Sequence, residues 1–239
     1  MQAQIKAAAG GASPRFFYHL GDVVYFNGQS INYPSQFYEP YQYYDAPIFA
    51  IPGNHDGDTV TLKGDQPDAE PSLYGFMTNF CSPTPEFLFK HRQTMTKPYC
   101  YWKLEAPFVH IVGLYSNVDG LLDARGTAQQ QNWLIEQIKA IPADKWFILA
   151  VHHPCYSLDS AHGGYEETLE VAVPYQTTCG GVSLEYFDVE NSGFLRFTAA
   201  PNALRIDYFS VSFDDPPRIS DEPADTVSIE VPNSRRKTA

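Results

Sequence analysis

The chain has 239 residues, 44% of them hydrophobic and 15% aromatic, which lies outside the disordered range and suffices to bury one sizeable core, so a single larger α/β or sandwich domain is the natural expectation. A formal net charge of −12 repels nucleic-acid phosphates and anionic bilayers, which argues against nucleic acid and membrane as partners; any phosphate it handles must meet local positive charge, such as a metal. No run of 18 apolar residues exists and the opening MQAQIKAAAGG lacks the apolar centre of a signal peptide, so the chain reads as soluble, with its compartment and protein partners unknown.

In chain order, residues 2–9 read as the end of a helix stopped by Gly10-Gly11, as if the chain started inside an element. RFFYHL (15–20) is a compact aromatic strand that feeds Gly21-Asp22. Residues 34–44 hold a short helix with Pro34 at its start and Pro40 interrupting it, and PIFAIP (47–52) is the next strand. Strand, crossover, strand, each ending in a polar turn, is the α/β pattern. Residues 57–98 carry Gly, Pro, Asp and Thr without a sustained period and read as one long excursion.

Strands at 99–106 and 108–116 follow, around Pro107. Thr127 opens a helix to about Ile141, with Thr127 and Gln130 as a capping box and Leu134, Ile138 and Ile141 as one apolar stripe. KWFILAVHHP (145–154) is an apolar strand ending in two histidines. Residues 181–189, 193–199 and 203–211 alternate as antiparallel strands, with turns at 191–193 and 201–202. From Asp214 onward Pro, Asp and Ser dominate, which predicts one folded domain over 1–213 and a mobile acidic and polar tail over 214–239, TVSIEV excepted. Cys81, Cys100, Cys155 and Cys179 include no C-x-x-C pair and offer no zinc site, while a Cys81–Cys100 pairing in a loop stays open.

Three strand ends carry the chemistry: Gly21-Asp22-Val23-Val24-Tyr25, Gly53-Asn54-His55-Asp56 and His152-His153-Pro154. Open α/β sheets place ligands at such carboxyl ends, where an oxyanion, an amide oxygen, an imidazole and a phenol would meet at one rim. That mixture suits a hard-to-borderline metal ion. Singly, each piece has a plainer reading: Gly-Asp as a turn, His-His as packing, Tyr25 as one aromatic of many. Gly-Asn-His-Asp in order arises by chance in roughly one chain in a thousand of this length, and the three together at strand ends outweigh the plainer readings. The aromatic stretch around Tyr33, Phe37, Tyr41 and Tyr43 suggests a carbohydrate- or nucleotide-binding surface, against the expected reading as core.

With YHLGDVVYFNG, IFAIPGNHDGD, QQNWLIEQI and FILAVHHPCYS in this order, residues 15–164 resemble the calcineurin-like metallophosphoesterase superfamily. The Gly-Asp-x-x-Tyr, Gly-Asn-His-Asp and His-x-Pro motifs are similar to its purple acid phosphatase branch. The resemblance implies an α/β sheet sandwich flanked by helices and metal-dependent hydrolysis of a phosphoester, a monoester of a small molecule, by a metal-activated water. It implies Asp22 as the carboxylate between two metals, Tyr25 as a phenolate ligand of ferric iron, and Asn54 and His152 as ligands of the second metal. His55 would contact phosphate and protonate the leaving oxygen with Asp56 steadying its ring, His153 would lie behind the ligands, and His162 would face phosphate. The ions would be Fe, Mn or Zn, two in the family.

Two motifs of that family, an Asp-x-His on the first strand and a Gly-His-x-His after His-x-Pro, have no counterpart here. One metal position keeps only Asp22 and Tyr25, and the other keeps Asp22, Asn54 and His152, so at most one well-occupied ion is expected. A fold lacking its first strand and an internal segment is the expected reading, with a non-catalytic binding or regulatory module as the alternative.

Overall fold

A computed structural model of the chain describes residues 13–58, 70–90, 92–117, 129–153, 178–179, 182–183, 188 and 190–231. It divides into two compact units, one drawn from Met1–Glu105, Ile111–Ile141 and Ile148–His153, the other from Ala106–His110, Pro142–Phe147 and Pro154–Ala239. The expected α/β character holds, with strands and helices mixed along the chain. The helix end expected at 2–9 and the capping residue Thr127 lie outside the described residues.

In the first unit, β1 (Phe17–His19) and β2 (Ile48–Ala50) pair in parallel, with Phe17 opposite Ile48 and His19 opposite Ala50. Both are short because their apolar runs end at once in Gly-containing turns, and those turns carry the site. Their buried side packs on a core unusually rich in rings, with Tyr33, Phe37, Tyr38, Tyr44, Phe76 and Phe80 all buried. The aromatic stretch is therefore core for Tyr33 and Phe37, Tyr41 packs against it, and only Tyr43 is well exposed. Pro34–Tyr38 forms a π-helix, closed by Glu39 N–H donating to the Pro34 carbonyl, a short helix that starts at Pro34 and ends before Pro40.

The segment read as a featureless excursion contains a helix. After α1 (Asn54–Gly57), Tyr74–Phe80 forms α2, whose Phe76 and Phe80 stack at 4.9 Å. Seven residues are too few for a period to show, and one ring pair four apart is all the signal the sequence offers. Beyond it, Lys97 is buried, with Nζ 4.4, 4.9 and 5.2 Å from the Phe76, Phe80 and Trp102 ring centres, and burial pushes its ammonium down to about 7. Lys97 Nζ and Trp102 Nε1 both donate to the carbonyl of Ala50, so the end of β2 is capped by side chains. Cys81 and Cys100 are free thiols.

Trp102–Glu105 (β3), Val109–Gly113 (β4) and Trp146–Ala150 (β5) form a three-stranded sheet in that order. Gln129–Ala140 is α3, but its expected apolar stripe is not its buried face: Ile138 is exposed and Gln130 is buried. Gln130 accepts from the Tyr115 N–H at 2.8 Å and donates to the Tyr115 carbonyl at 2.9 Å. A primary amide reproduces both halves of a strand pairing, which explains burial of a polar residue in place of leucine or isoleucine.

In the second unit, Thr178–Cys179 (β6) pairs with Val182–Ser183 (β7). Ser192–Ala200 (β8) and Ala203–Val211 (β9) form an antiparallel hairpin, and Asp225–Glu230 (β10) pairs with the far side of β9. The exception made for TVSIEV within residues 214–239 thus corresponds to a strand. Asp207 on β9 is buried and ties the three strands together: Arg196 Nη2 and Arg205 Nε each donate to it at 2.7 Å and the Thr226 hydroxyl at 2.9 Å.

Candidate metal centre

The site lies within the first unit, where the ends of β1, β2 and β5 supply its residues. Gly21 and Asp22 both take positive φ, +103° and +50°, reversing the chain immediately after β1. A Cβ on Gly21 would lie 2.7 Å from both Gly53 N and His152 Nδ1, and one on Gly53 only 2.1 Å from Asp22 Oδ1. The two glycines of the Gly-Asp and Gly-Asn pairs therefore let three chain segments close on one another, a requirement that the sequence signals by putting glycine directly before Asp22 and Asn54.

His152 Nδ1 lies 2.9 Å from the Leu20 carbonyl, which can only accept, so the proton sits on Nδ1 and the neutral ring keeps its lone pair on Nε2. Nε2 then faces two further acceptors, Asn54 Oδ1 at 3.1 Å and Asp22 Oδ1 at 3.4 Å. Three lone-pair donors aimed together demand either an extra proton, a turned amide or a cation between them. The chemistry of this set, one carboxylate, one amide oxygen and one imidazole, fits a single divalent ion of hard-to-borderline character. Among the described residues no group of three or more His, Cys, Asp or Glu gathers that could hold a metal; the set has two such residues plus an amide.

Tyr25 does not join this set. Its hydroxyl donates to the other oxygen of Asp22 at 2.8 Å, and burial, followed by that carboxylate, pushes the phenol up to about 12. Asp22 Oδ1 also accepts the His55 N–H at 3.1 Å, which ties the first two motifs to each other.

Asp56 takes a different place from the one expected beside His55. Its carboxylate is fully buried and accepts from the backbone N–H groups of Gly53 at 2.8 Å, Val23 at 3.1 Å and Val24 at 3.3 Å. Burial pushes its carboxyl up to about 6 against the pull of these amides. The physical reason is helical geometry: within α1 the side chain reaches back over its own N-terminus, as the acidic half of a capping box does, and away from its neighbour's ring. His55 is held by others. Its Nδ1–H donates to the Phe26 carbonyl at 2.8 Å, and Asp58, one turn on, brings a carboxylate oxygen to 3.4 Å.

His153 pairs its Nδ1 with the Ser116 hydroxyl at 2.8 Å. His19, the last residue of β1, has its Nδ1 buried without a hydrogen-bond partner, and burial pushes its imidazole down to about 4. His162 lies outside the described residues. Sequence reasoning missed Leu20 and Phe26, which act through backbone carbonyls, and Gln36, whose amide accepts from the Tyr25 N–H and donates to the Tyr25 carbonyl. Backbone acceptors leave no mark in a sequence; the second aspartate of His-Asp-Gly-Asp was a readable clue to Asp58.

Among the described residues no helix is long and apolar enough to cross a membrane. The profile of the family described as calcineurin-like phosphoesterase matches residues 2–182. No curated protein and no solved structure matches the chain.

Proposed function

The chain belongs to the calcineurin-like phosphoesterase family, and on that premise we propose that it is a metal-dependent phosphomonoesterase of small phosphorylated molecules, with one cation site made by Asp22, Asn54 and His152. The observation that carries this reading is the convergence of His152 Nε2 on two oxygens, at 3.1 and 3.4 Å, with its other nitrogen already committed to Leu20. A divalent Mn, Fe or Zn ion bound there would supply Lewis acidity, lowering the pKa of a water and neutralising phosphoryl oxygens, which a chain of charge −12 otherwise lacks.

The remaining work falls to the chain. Asp56 locks the Gly53–His55 turn onto Val23 and Val24, so that Asp22 and Asn54 are presented together. His55, with Nδ1–H fixed on Phe26, turns Nε2–H to the substrate and hands that proton to the departing ester oxygen as its bond to phosphorus breaks, while a water oxygen bonds to phosphorus and gives up a proton that replaces the one His55 lost. Tyr25 stays a phenol and steadies Asp22 through its free oxygen; the iron-phenolate role of the purple branch would require that proton to leave.

Turnover of an aryl phosphate by the Mn-loaded chain tests this. His55→Ala should reduce kcat by at least a hundredfold with metal content unchanged. Metal uptake without turnover in the unaltered chain would instead make it a non-catalytic phosphate-binding member of the family.

A further inference from the structure

Phe26 is 84% exposed, the most exposed of the large apolar side chains among the described residues of the first unit, yet its backbone carbonyl is held. Its carbonyl accepts from His55. On one side of it, Gln36 clamps both backbone groups of Tyr25, from a π-helix anchored in the core by Phe37 and Tyr38. On the other, the Asn32 amide donates to the carbonyl and side-chain oxygens of Asn27 at 3.1 and 3.0 Å. The exposed ring is thus carried on a fixed loop, and the contact that fixes it is the one that orients His55. Tyr25, itself half-exposed, packs its ring 4.7 Å from that of His55 and 6.5 Å from that of Phe26, at 80° to the latter.

On the phosphoesterase reading, the group that leaves with the ester oxygen departs on the His55 side, where the Tyr25 ring packs against that histidine and the exposed Phe26 ring stands next to Tyr25. We infer that Phe26 and Tyr25 form a selecting wall for the leaving group, so that the site prefers phosphoesters whose alcohol is aromatic over those of small polar alcohols. An incoming ring gains contact area on Phe26 that water otherwise covers, together with an edge-to-face arrangement. A methyl- or glycerol-sized group reaches too little of it to gain either.

The inference rests on the proposed cation site, and binding of two non-hydrolysable dianions separates the two. Affinities of phenylphosphonate and methylphosphonate are measured by calorimetry on the full Mn-loaded chain, on Phe26→Ala and on Ile31→Ala, an exposed residue outside the wall. The unaltered chain and Ile31→Ala should favour phenylphosphonate at least tenfold, and Phe26→Ala should bring that ratio below threefold while changing methylphosphonate affinity less than twofold. Phe26→Ala keeps the carbonyl that holds His55 and removes only an exposed ring, so folding is not at issue. Equal affinities for the two phosphonates in the unaltered chain, or a preference that survives Phe26→Ala, overturn the selecting wall and leave the cation site standing. Binding of neither phosphonate overturns both.

Discussion

Asp56 in the first unit and Asp207 in the second are both sealed from water, 0% and 1% exposed, and they are satisfied in opposite ways. Asp56 accepts from three neutral backbone N–H groups, and burial prevails, pushing its carboxyl up to about 6. Asp207 meets two guanidinium groups and a hydroxyl, which overcome the upward push of burial and hold its carboxyl below the usual range. The second arrangement pins strands whose register is already set. The first joins two turns 33 residues apart through backbone amides, and so leaves Asp22 as the carboxylate of the ligand set.

The contrast breaks or holds on removal of each carboxylate. Asp56→Ala strands three buried N–H groups that have no other partner and should cost on the order of 4 kcal/mol in urea unfolding. Asp207→Ala should cost less, about 2–3 kcal/mol, because Arg196 and Arg205 are partly exposed and rehydrate when released. An equal or larger loss at Asp207 would mean that backbone amides are not the stronger dependence.

A smaller effect sharpens the comparison through pH, in the metal-free chain. Asp56, raised from 3.8 to about 6, contributes stability that is complete below pH 3.8 and lost as pH rises through 6. His19, lowered from 6.5 to about 4, contributes stability that is complete above pH 6.5 and lost as pH falls through 4, and His153 acts in the same direction. Each of the two main groups is worth up to about 3 kcal/mol, and they oppose each other between pH 4 and 6. Asp56→Asn should therefore lose stability steadily as pH falls across that window, whereas His19→Phe should gain it. Below about pH 4 the contribution of Asp207, whose carboxyl is lowered, should fade as well. Identical profiles for the two variants would contradict the assignment.

These arrangements also mark where the sequence could be read and where it could not. β1 and β2 and the two Gly-containing turns after them were legible because each is specified within about ten residues: an apolar run, then glycine, then a polar side chain. The proximity of Asp22, Asn54 and His152 was legible from the place of all three just after a strand. The partner of Asp56 was not, because the adjacent His55 is close in sequence while the amides of Val23 and Val24 are close only in the fold. The bonds of Gln130 to Tyr115 were not legible either, because the two residues lie 15 apart in sequence and meet only in the fold. Lys97 gave no local sign of burial, since the three rings around it come from α2 and β3.

The central claim, that three acceptors converge because a cation belongs between them, is tested most directly by elemental analysis after loading with Mn and removal of free ion. One equivalent per chain, falling below a tenth in His152→Ala and in Asn54→Ala while both variants stay folded, is the predicted result. Retention of a full equivalent in His152→Ala, or no retained metal in the unaltered chain, would contradict it.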